Sequence, residues 1–147
     1  MYKRQKLFGV FDHRVLKPSS PLFQGFDDVF QAPHSRYTEV WESDIRRTPG
    51  LELLSVSGDA GVFAVKSLDS RQFFITGHPE YDPDTLAREY FRDRDQGIPI
   101  RVPQNYFPGD DPSRPPIVRW RSAGQLLYTN WLNYYVYQTT PYDIKEI

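Results

Sequence analysis

Apolar residues recur along this chain at two spacings, and each spacing predicts one kind of element. Three short apolar runs lie close together at 51–56, 61–67 and 72–76, with turns containing glycine, aspartate and serine between them. Runs of this length, separated by such turns, are typical of β-strands joined by hairpins. The pattern therefore predicts an antiparallel strand meander, and the run at 7–11 predicts one more short strand.

Two later stretches repeat apolar residues every three or four positions, as amphipathic helices do. The first is predicted to begin at Asp82-Pro83-Asp84, which offers a capping carboxylate, proline at the first helical position and an acidic first turn, and to end before Gly97. The second is predicted to begin at Ser122, which fits a capping box with Gln125, and to end at Thr140. Apolar groups surround this long C-terminal helix, so we expect it to be buried, with a second subunit as one possible cover.

Two stretches lack a clear period. Residues 12–50 are broken repeatedly by proline and glycine, and only a single helical turn is predicted there, from Ser43 to before Pro49. The 99–116 stretch contains six prolines. Such a segment becomes ordered only by packing on something else. A stretch as long as 12–50 with so little regular structure more often than not has a functional role.

Composition narrows the class of protein. The 147 residues suffice for one domain with a core, predicted over 1–147, and a net charge of −1 with a pI of about 6.3 does not point to nucleic acid or anionic membranes. No apolar run approaches the roughly 18 residues of a membrane span, and the start has no secretory signal, so a cytoplasmic location is expected. The absence of cysteine excludes disulfides, thiolate metal sites and a cysteine nucleophile within these 147 residues.

The candidate chemistry follows the last predicted strand. Phe73-Phe74-Ile75 reads as a strand covered on both faces, Gly77 permits a sharp turn, and Pro79 keeps the next residues extended. Residues two apart in an extended segment point the same way, so His78 and Glu80 can face one cleft. A histidine oriented by a carboxylate is the base half of a nucleophilic relay.

The chain as a whole resembles the homoserine O-acyltransferases of methionine biosynthesis, the succinyl- or acetyl-transferring kind built on the class I glutamine amidotransferase-like fold. The stretches that carry the resemblance are 6–11, 25–28, 32–36, 76–82, 105–108 and 130–138. The resemblance implies an α/β fold, part of a flavodoxin-like three-layer sandwich with an antiparallel meander and a long C-terminal helix. It covers only the carboxyl half of such a protein, and the other half is expected to carry the oxyanion hole and the nucleophilic cysteine.

The resemblance also implies a mechanism and a set of site residues. In this family a cysteine takes an acetyl or succinyl group from acyl-CoA, and the thioester is then attacked by the γ-hydroxyl of L-homoserine. His78 matches the general base and Glu80 the carboxylate that orients it, while Lys6, Ser35 and Arg92 match substrate-contacting positions. Acyl-CoA is a co-substrate, no cofactor or metal is implied, and a homodimer is the family precedent. The isolated chain is expected to be inactive.

Simpler explanations compete for each substrate-contacting residue. Arg92 could pair with Glu89 one helical turn back, Lys6 could be solvent-exposed, and Ser35 could cap the turn after Pro33. His13 and His34 are better explained as structural residues, and three such widely spaced histidines do not form a metal site by ligand spacing.

Two other functions remain open at this stage. The shared His-Pro-Glu motif also fits an amidotransferase-like hydrolase, which would act on glutamine and ignore homoserine. A non-catalytic remnant, binding a partner through an open sheet edge and the aromatic helix, fits as well.

Overall fold

The fold is organised around one antiparallel sheet. The structure, a computed structural model, describes residues 2–140, with side chains from residue 5 onward. Five strands pair in the order β2-β1-β3-β4-β5 and form an antiparallel half-barrel. Their bounds are β1 Tyr2–Val15, β2 Val29–Thr38, β3 Leu51–Ser57, β4 Gly61–Ser67 and β5 Phe73–Ile75. The predicted meander is confirmed, because β3, β4 and β5 are successive antiparallel neighbours.

Strand β1 lies between β2 and β3 and has different partners along its length. It pairs with β2 along most of its length but with β3 only at Arg14 and Val15. Nearer the start of β1, Gly9 forms a parallel bridge with Gln104 of the proline-rich loop. A Cβ on Gly9 would lie 2.3 Å from the Gln104 carbonyl oxygen, and its φ is +147°, so this contact requires glycine. The loop therefore continues the sheet where β3 stops.

Residues 12–50 contain regular structure although their hydrophobic periodicity is weak. Strand β1 continues to Val15, and the whole of β2 lies in this region. Pro33 pairs with Val10 inside β2, which is tolerated because β2 is an edge strand and a proline N–H is not needed on its free side. The predicted helical turn is present as α1, Glu42–Arg47.

The remaining helices follow the predicted order with shifted ends. Helix α2 spans Thr85–Asp95 and α3 spans Arg121–Trp131, after which the helix continues as a π turn, Leu132–Val136. Two short 3-10 turns lie at Pro21–Phe23 and Pro108–Asp110. No side-chain cap is present on α2 or α3. The capping-box prediction at Ser122 is wrong, since α3 begins one residue earlier and Ser122 lies inside its first turn.

Three apolar clusters hold these elements together. On one face of the sheet, Phe30, Leu54 and Phe63 pack with Leu127 of α3. On the other, β3 and β4 pack against α1 through Leu53, Val62 and Val65 with Ile45. A third cluster joins β1, α2 and the proline-rich loop; its fully buried members include Val10, Leu86, Tyr106 and Trp120. The loop is thus ordered by packing, as expected.

Two burial predictions are wrong. Strand β5 is an edge strand, and Phe74 is 48% exposed, so it is not covered on both faces. The long C-terminal helix buries only one face, because Tyr128, Trp131 and Tyr134 are exposed. An apolar pattern alone does not show which aromatic residues are buried within this chain and which are left exposed. Within the described residues, no helix is both long and apolar enough to cross a membrane.

Candidate functional site

A tight loop after β5 carries the His-Pro-Glu motif and is held on two sides. On one side, the backbone N–H of His78 donates to the Pro33 carbonyl at 2.8 Å. On the other side, α3 approaches so closely that a Cβ on Gly124 would lie 2.5 Å from the Pro79 carbonyl oxygen. Gly77 is equally restricted, because a Cβ there would lie 2.9 Å from the Nε2 atom of His34. Strand β2 and helix α3 therefore fix the loop between them.

The structure brings the predicted base and its carboxylate together. The Nδ1 atom of His78 lies 2.8 Å from Oε1 of Glu80. A carboxylate only accepts, so Nδ1 carries the proton and Nε2 presents its lone pair. The His78 side chain is 35% exposed and that of Glu80 49%. Among the described residues Nε2 has no hydrogen-bond partner, and an approaching O–H or S–H group could reach it.

Two tyrosines border this pair. The ring of Tyr81 stacks on that of His78, with centroids 4.3 Å apart and an interplanar angle of 10°. The hydroxyl of Tyr128, on α3, donates to Oε2 of Glu80 at 3.4 Å. Burial raises the pKa of both hydroxyls, and the charge of Glu80 raises the pKa further in each case. Both phenols therefore remain neutral at neutral pH, and that of Tyr128 donates to the carboxylate.

Lys6 and Ser35 meet at a residue that the motifs did not single out. The ammonium of Lys6 forms an ion pair with Oε1 of Glu89, on α2. The hydroxyl of Ser35 donates to both oxygens of Glu89, at 3.0 and 2.8 Å. Lys6 is therefore not a solvent-exposed lysine, with a side chain only 13% exposed, and Ser35 does not cap the turn after Pro33.

Arg92 lies on the same helix but makes a different contact. Its guanidinium binds the neighbouring Asp93, with Nε 2.7 Å from Oδ1, instead of Glu89. Its side chain is 59% exposed. The Asp93 carboxylate and, more weakly, the charge of Glu89 raise the pKa of Arg92. The structure thus brings Lys6 and Ser35 together at Glu89, while Arg92 lies one turn further along α2. Among the described residues, no hydrogen bond or ion pair links any of these three to the imidazole of His78.

His13 and His34 form a buried pair beneath the loop. Their Nε2 atoms are 2.9 Å apart, and both residues are fully buried. Arg36 donates to Nδ1 of His34 at 3.3 Å, so His34 carries its proton on Nε2 and donates it to His13. Burial lowers the pKa of His13 from 6.5 to about 4. The described residues contain no group of three or more His, Cys, Asp or Glu side chains that could hold a metal ion.

The sequence could have yielded part of what it missed. Glu89 precedes Arg92 by three positions on the predicted helix, so the two share a face. Tyr81 directly follows the His-Pro-Glu motif. Tyr128 gives no comparable signal, because its position beside Glu80 depends on how α3 docks on the sheet.

Fold and site together define an α/β protein with a His–Glu pair in the loop after the last strand of an antiparallel half-barrel. The model of the family described as "HTS: Homoserine O-succinyltransferase" matches residues 1–142. The chain belongs to this homoserine O-succinyltransferase family.

Curated relatives agree with this assignment, and a solved structure shares the fold. A homoserine O-acetyltransferase of Acetivibrio thermocellus is 53% identical over 144 residues, which are 98% of this chain and 47% of the relative. One of Bacteroides thetaiotaomicron is 55% identical over 143 residues, 97% of this chain and 47% of the relative. The chain therefore spans about half the length of these relatives. The crystal structure of SMU.1228c, at 14% identity, matches the fold with a TM-score of 0.57, covering 88% of this chain and 53% of that one.

Proposed function

We propose that this chain supplies the general base and the acceptor-binding residues of a homoserine O-acyltransferase, which moves an acetyl or succinyl group from acyl-CoA to the γ-hydroxyl of L-homoserine. The observation that carries the proposal is the His78–Glu80 contact of 2.8 Å with Nε2 left open. The names of the curated relatives favour acetyl-CoA as the donor and homoserine as the acceptor. The nucleophile would be a cysteine on the remaining half of such a protein, since this chain has none.

The geometry suits a base that acts twice. In the first step Nε2 of His78 would accept the thiol proton, the thiolate would attack the acyl carbonyl, and coenzyme A would leave as the free thiol after taking up that proton. In the second step Nε2 would accept the proton of the homoserine hydroxyl, whose oxygen would displace the cysteine sulfur from the thioester. Glu80 would stabilise the imidazolium formed each time.

Such an enzyme would belong to methionine biosynthesis, would act in the cytoplasm, and would work as a homodimer. Lys6, Ser35 and Arg92 would contact the amino-acid acceptor. Arg92 suits the carboxylate of homoserine, because a planar guanidinium can bind both oxygens. The exposed aromatic face of α3 is consistent with further polypeptide covering it.

The test compares the 147-residue chain alone with a fusion to the part of the Acetivibrio thermocellus relative that lies outside the matched segment. Release of coenzyme A is followed with acetyl-CoA or succinyl-CoA, with and without L-homoserine, and the ester product is identified by mass spectrometry. We expect no transfer by the chain alone, transfer by the fusion, and a loss of about 100-fold or more in His78→Ala.

Glu80→Gln and Glu42→Gln form a matched pair for this assay. Glu80→Gln should lower the rate of transfer, because it removes the carboxylate that would stabilise the imidazolium of His78. Glu42→Gln also removes one exposed carboxylate, but Glu42 pairs with Arg46 on α1 and its loss should leave the rate unchanged. Full turnover by the isolated chain would contradict the proposal. Hydrolysis of L-glutamine by the fusion, without transfer to homoserine, would instead support an amidotransferase-like hydrolase.

A further inference from the structure

The three predicted acceptor-binding residues share one neighbour, Glu89. Lys6 reaches it from β1 as an ion pair, and Ser35 reaches it from β2 through hydrogen bonds to both carboxylate oxygens. The side chain of Glu89 is only 19% exposed. A carboxylate held this way links two strands and α2 at a single point, and it fixes the positions of the ammonium and the hydroxyl that bind it.

Charge gives Glu89 a second effect. It lies three residues before Arg92 on α2, so both are on one helix face, and its charge helps to raise the pKa of Arg92. The charge of Glu89 also helps to raise the pKa of Tyr81, whose ring stacks on that of His78.

Lys6 also borders open space. Its Nζ atom lies 4.5 Å from the centroid of the Phe8 ring and 5.9 Å from that of Tyr37. All three residues line a cavity of about 370 Å³ that is completed by Gln5 and 99–101. An ammonium has three N–H groups, and Glu89 is its only hydrogen-bond acceptor among the described residues. Donors thus remain for an anionic group beside the cavity.

We propose that Glu89 is a positioning residue for the amino-acid acceptor: it holds Lys6 and Ser35 in place. This inference rests on the proposed acyltransferase function. Because Glu89 acts through its neighbours and not on the reacting atoms, its loss should weaken acceptor binding more than acyl-enzyme formation. For Glu89→Gln we expect the KM for L-homoserine to rise about tenfold, with the KM for acetyl-CoA unchanged within about twofold.

The assay uses the fusion described above with five variants, one of which combines two substitutions. Glu89→Gln should raise the KM for homoserine, Glu89→Asp should recover part of the loss, and Glu42→Gln should behave as the wild type. Combining Ser35→Ala with Glu89→Gln should cost less than the sum of the two single changes, since both break the same contact. An active fusion in which Glu89→Gln leaves the KM for homoserine unchanged overturns this inference alone, whereas an inactive wild-type fusion overturns the proposed function and this inference with it.

A second measurement reports on the contact without any turnover. The 147-residue chain is treated briefly with acetic anhydride, and modification of each lysine is measured by peptide mass spectrometry. Lys66 is the internal reference, because its side chain is 12% exposed and is paired with Glu52, much as Lys6 is paired with Glu89. We expect Glu89→Gln to increase modification of Lys6 several-fold relative to Lys66, and an unchanged ratio would overturn the proposed positioning of Lys6.

Discussion

Mild acid should destabilise this domain because His13 has to become charged inside the core. The imidazole is fully buried, stacks near Phe30 and Phe63, and accepts a hydrogen bond from His34. Its pKa is lowered from 6.5 to about 4, chiefly because burial disfavours the charged form; the nearby charge of Arg36 adds to this, while Asp12 opposes it. In the unfolded chain the same side chain takes up its proton near pH 6.5.

The sign and size of the effect follow from these two values. Between pH 6.5 and 4 the unfolded state binds one proton more than the folded state at this site, so folding stability is fully present above pH 6.5 and falls as the pH drops. The difference of about 2.5 pH units corresponds to about 3 kcal/mol at about 1.36 kcal/mol per unit. Roughly 2 kcal/mol of this should be lost between pH 7 and pH 4.5.

Urea unfolding of the 147-residue chain at a series of pH values measures this loss. The carboxyl groups of Glu52, Asp69 and Asp111 also have lowered pKa values, so each contributes folding stability that is lost on acidification. That loss occurs only below their ordinary pKa values, which are 4.5 for Glu52 and 3.8 for the two aspartates. The range above pH 4.5 therefore isolates the histidine effect. His13→Gln keeps an amide beside His34 but cannot titrate, so its free energy of unfolding should vary much less across this range.

The wild type, measured in parallel with His13→Gln over the same pH series, is the reference for that experiment. If wild type and His13→Gln lose the same stability between pH 7 and 4.5, or if the wild type loses none, the burial argument for His13 is refuted.

Two further predictions concern backbone approach and the site. Gly9→Ala should lower the free energy of unfolding by about 1–3 kcal/mol. The φ of +147° at this position is strained for alanine, and the new Cβ would lie 2.3 Å from the Gln104 carbonyl oxygen. An unchanged thermal midpoint of unfolding would contradict the loop contact. Tyr128→Phe should lower transfer by the fusion less than about tenfold, because it removes one hydrogen bond to Glu80, worth about 0.5–1.5 kcal/mol. A loss as large as that of Glu80→Gln would mean that the hydroxyl does more than support the carboxylate.

The sequence predicted well the elements whose signals are local. The meander of β3 to β5 has turn residues at its own boundaries, and α2 has its own apolar stripe. Strand β2 has no such signal, because it tolerates Pro33 only as an edge strand, and its edge position depends on pairing with β1. The exposure of Phe74 was missed for the same reason: the sequence shows that a residue is apolar but not which strand is last in the sheet.

The site residues also divide into those whose contacts the local sequence predicts and those whose contacts depend on the fold. The sequence predicted that His78 and Glu80 face each other, but the reason was wrong: Pro79 and Glu80 do not continue an extended segment. They lie in a turn, in which the Tyr81 N–H donates to the His78 carbonyl at 3.2 Å. The meeting of Lys6, Ser35 and Glu89 could not be predicted, since it depends on how α2 docks across two strands. The catalytic and substrate-binding roles of these residues stay predictions until the fusion is assayed.

The close approach of Gly124 to Pro79 has a consequence for biosynthesis. A nascent chain that has emerged only as far as α2 contains His78 and Glu80 but lacks the helix that confines their loop and the Tyr128 hydroxyl that reaches the carboxylate. The loop can therefore be confined on both sides only after α3 has left the ribosome. Translation that stops before Arg121 would yield a product with both reactive groups but without the α3 side of the site.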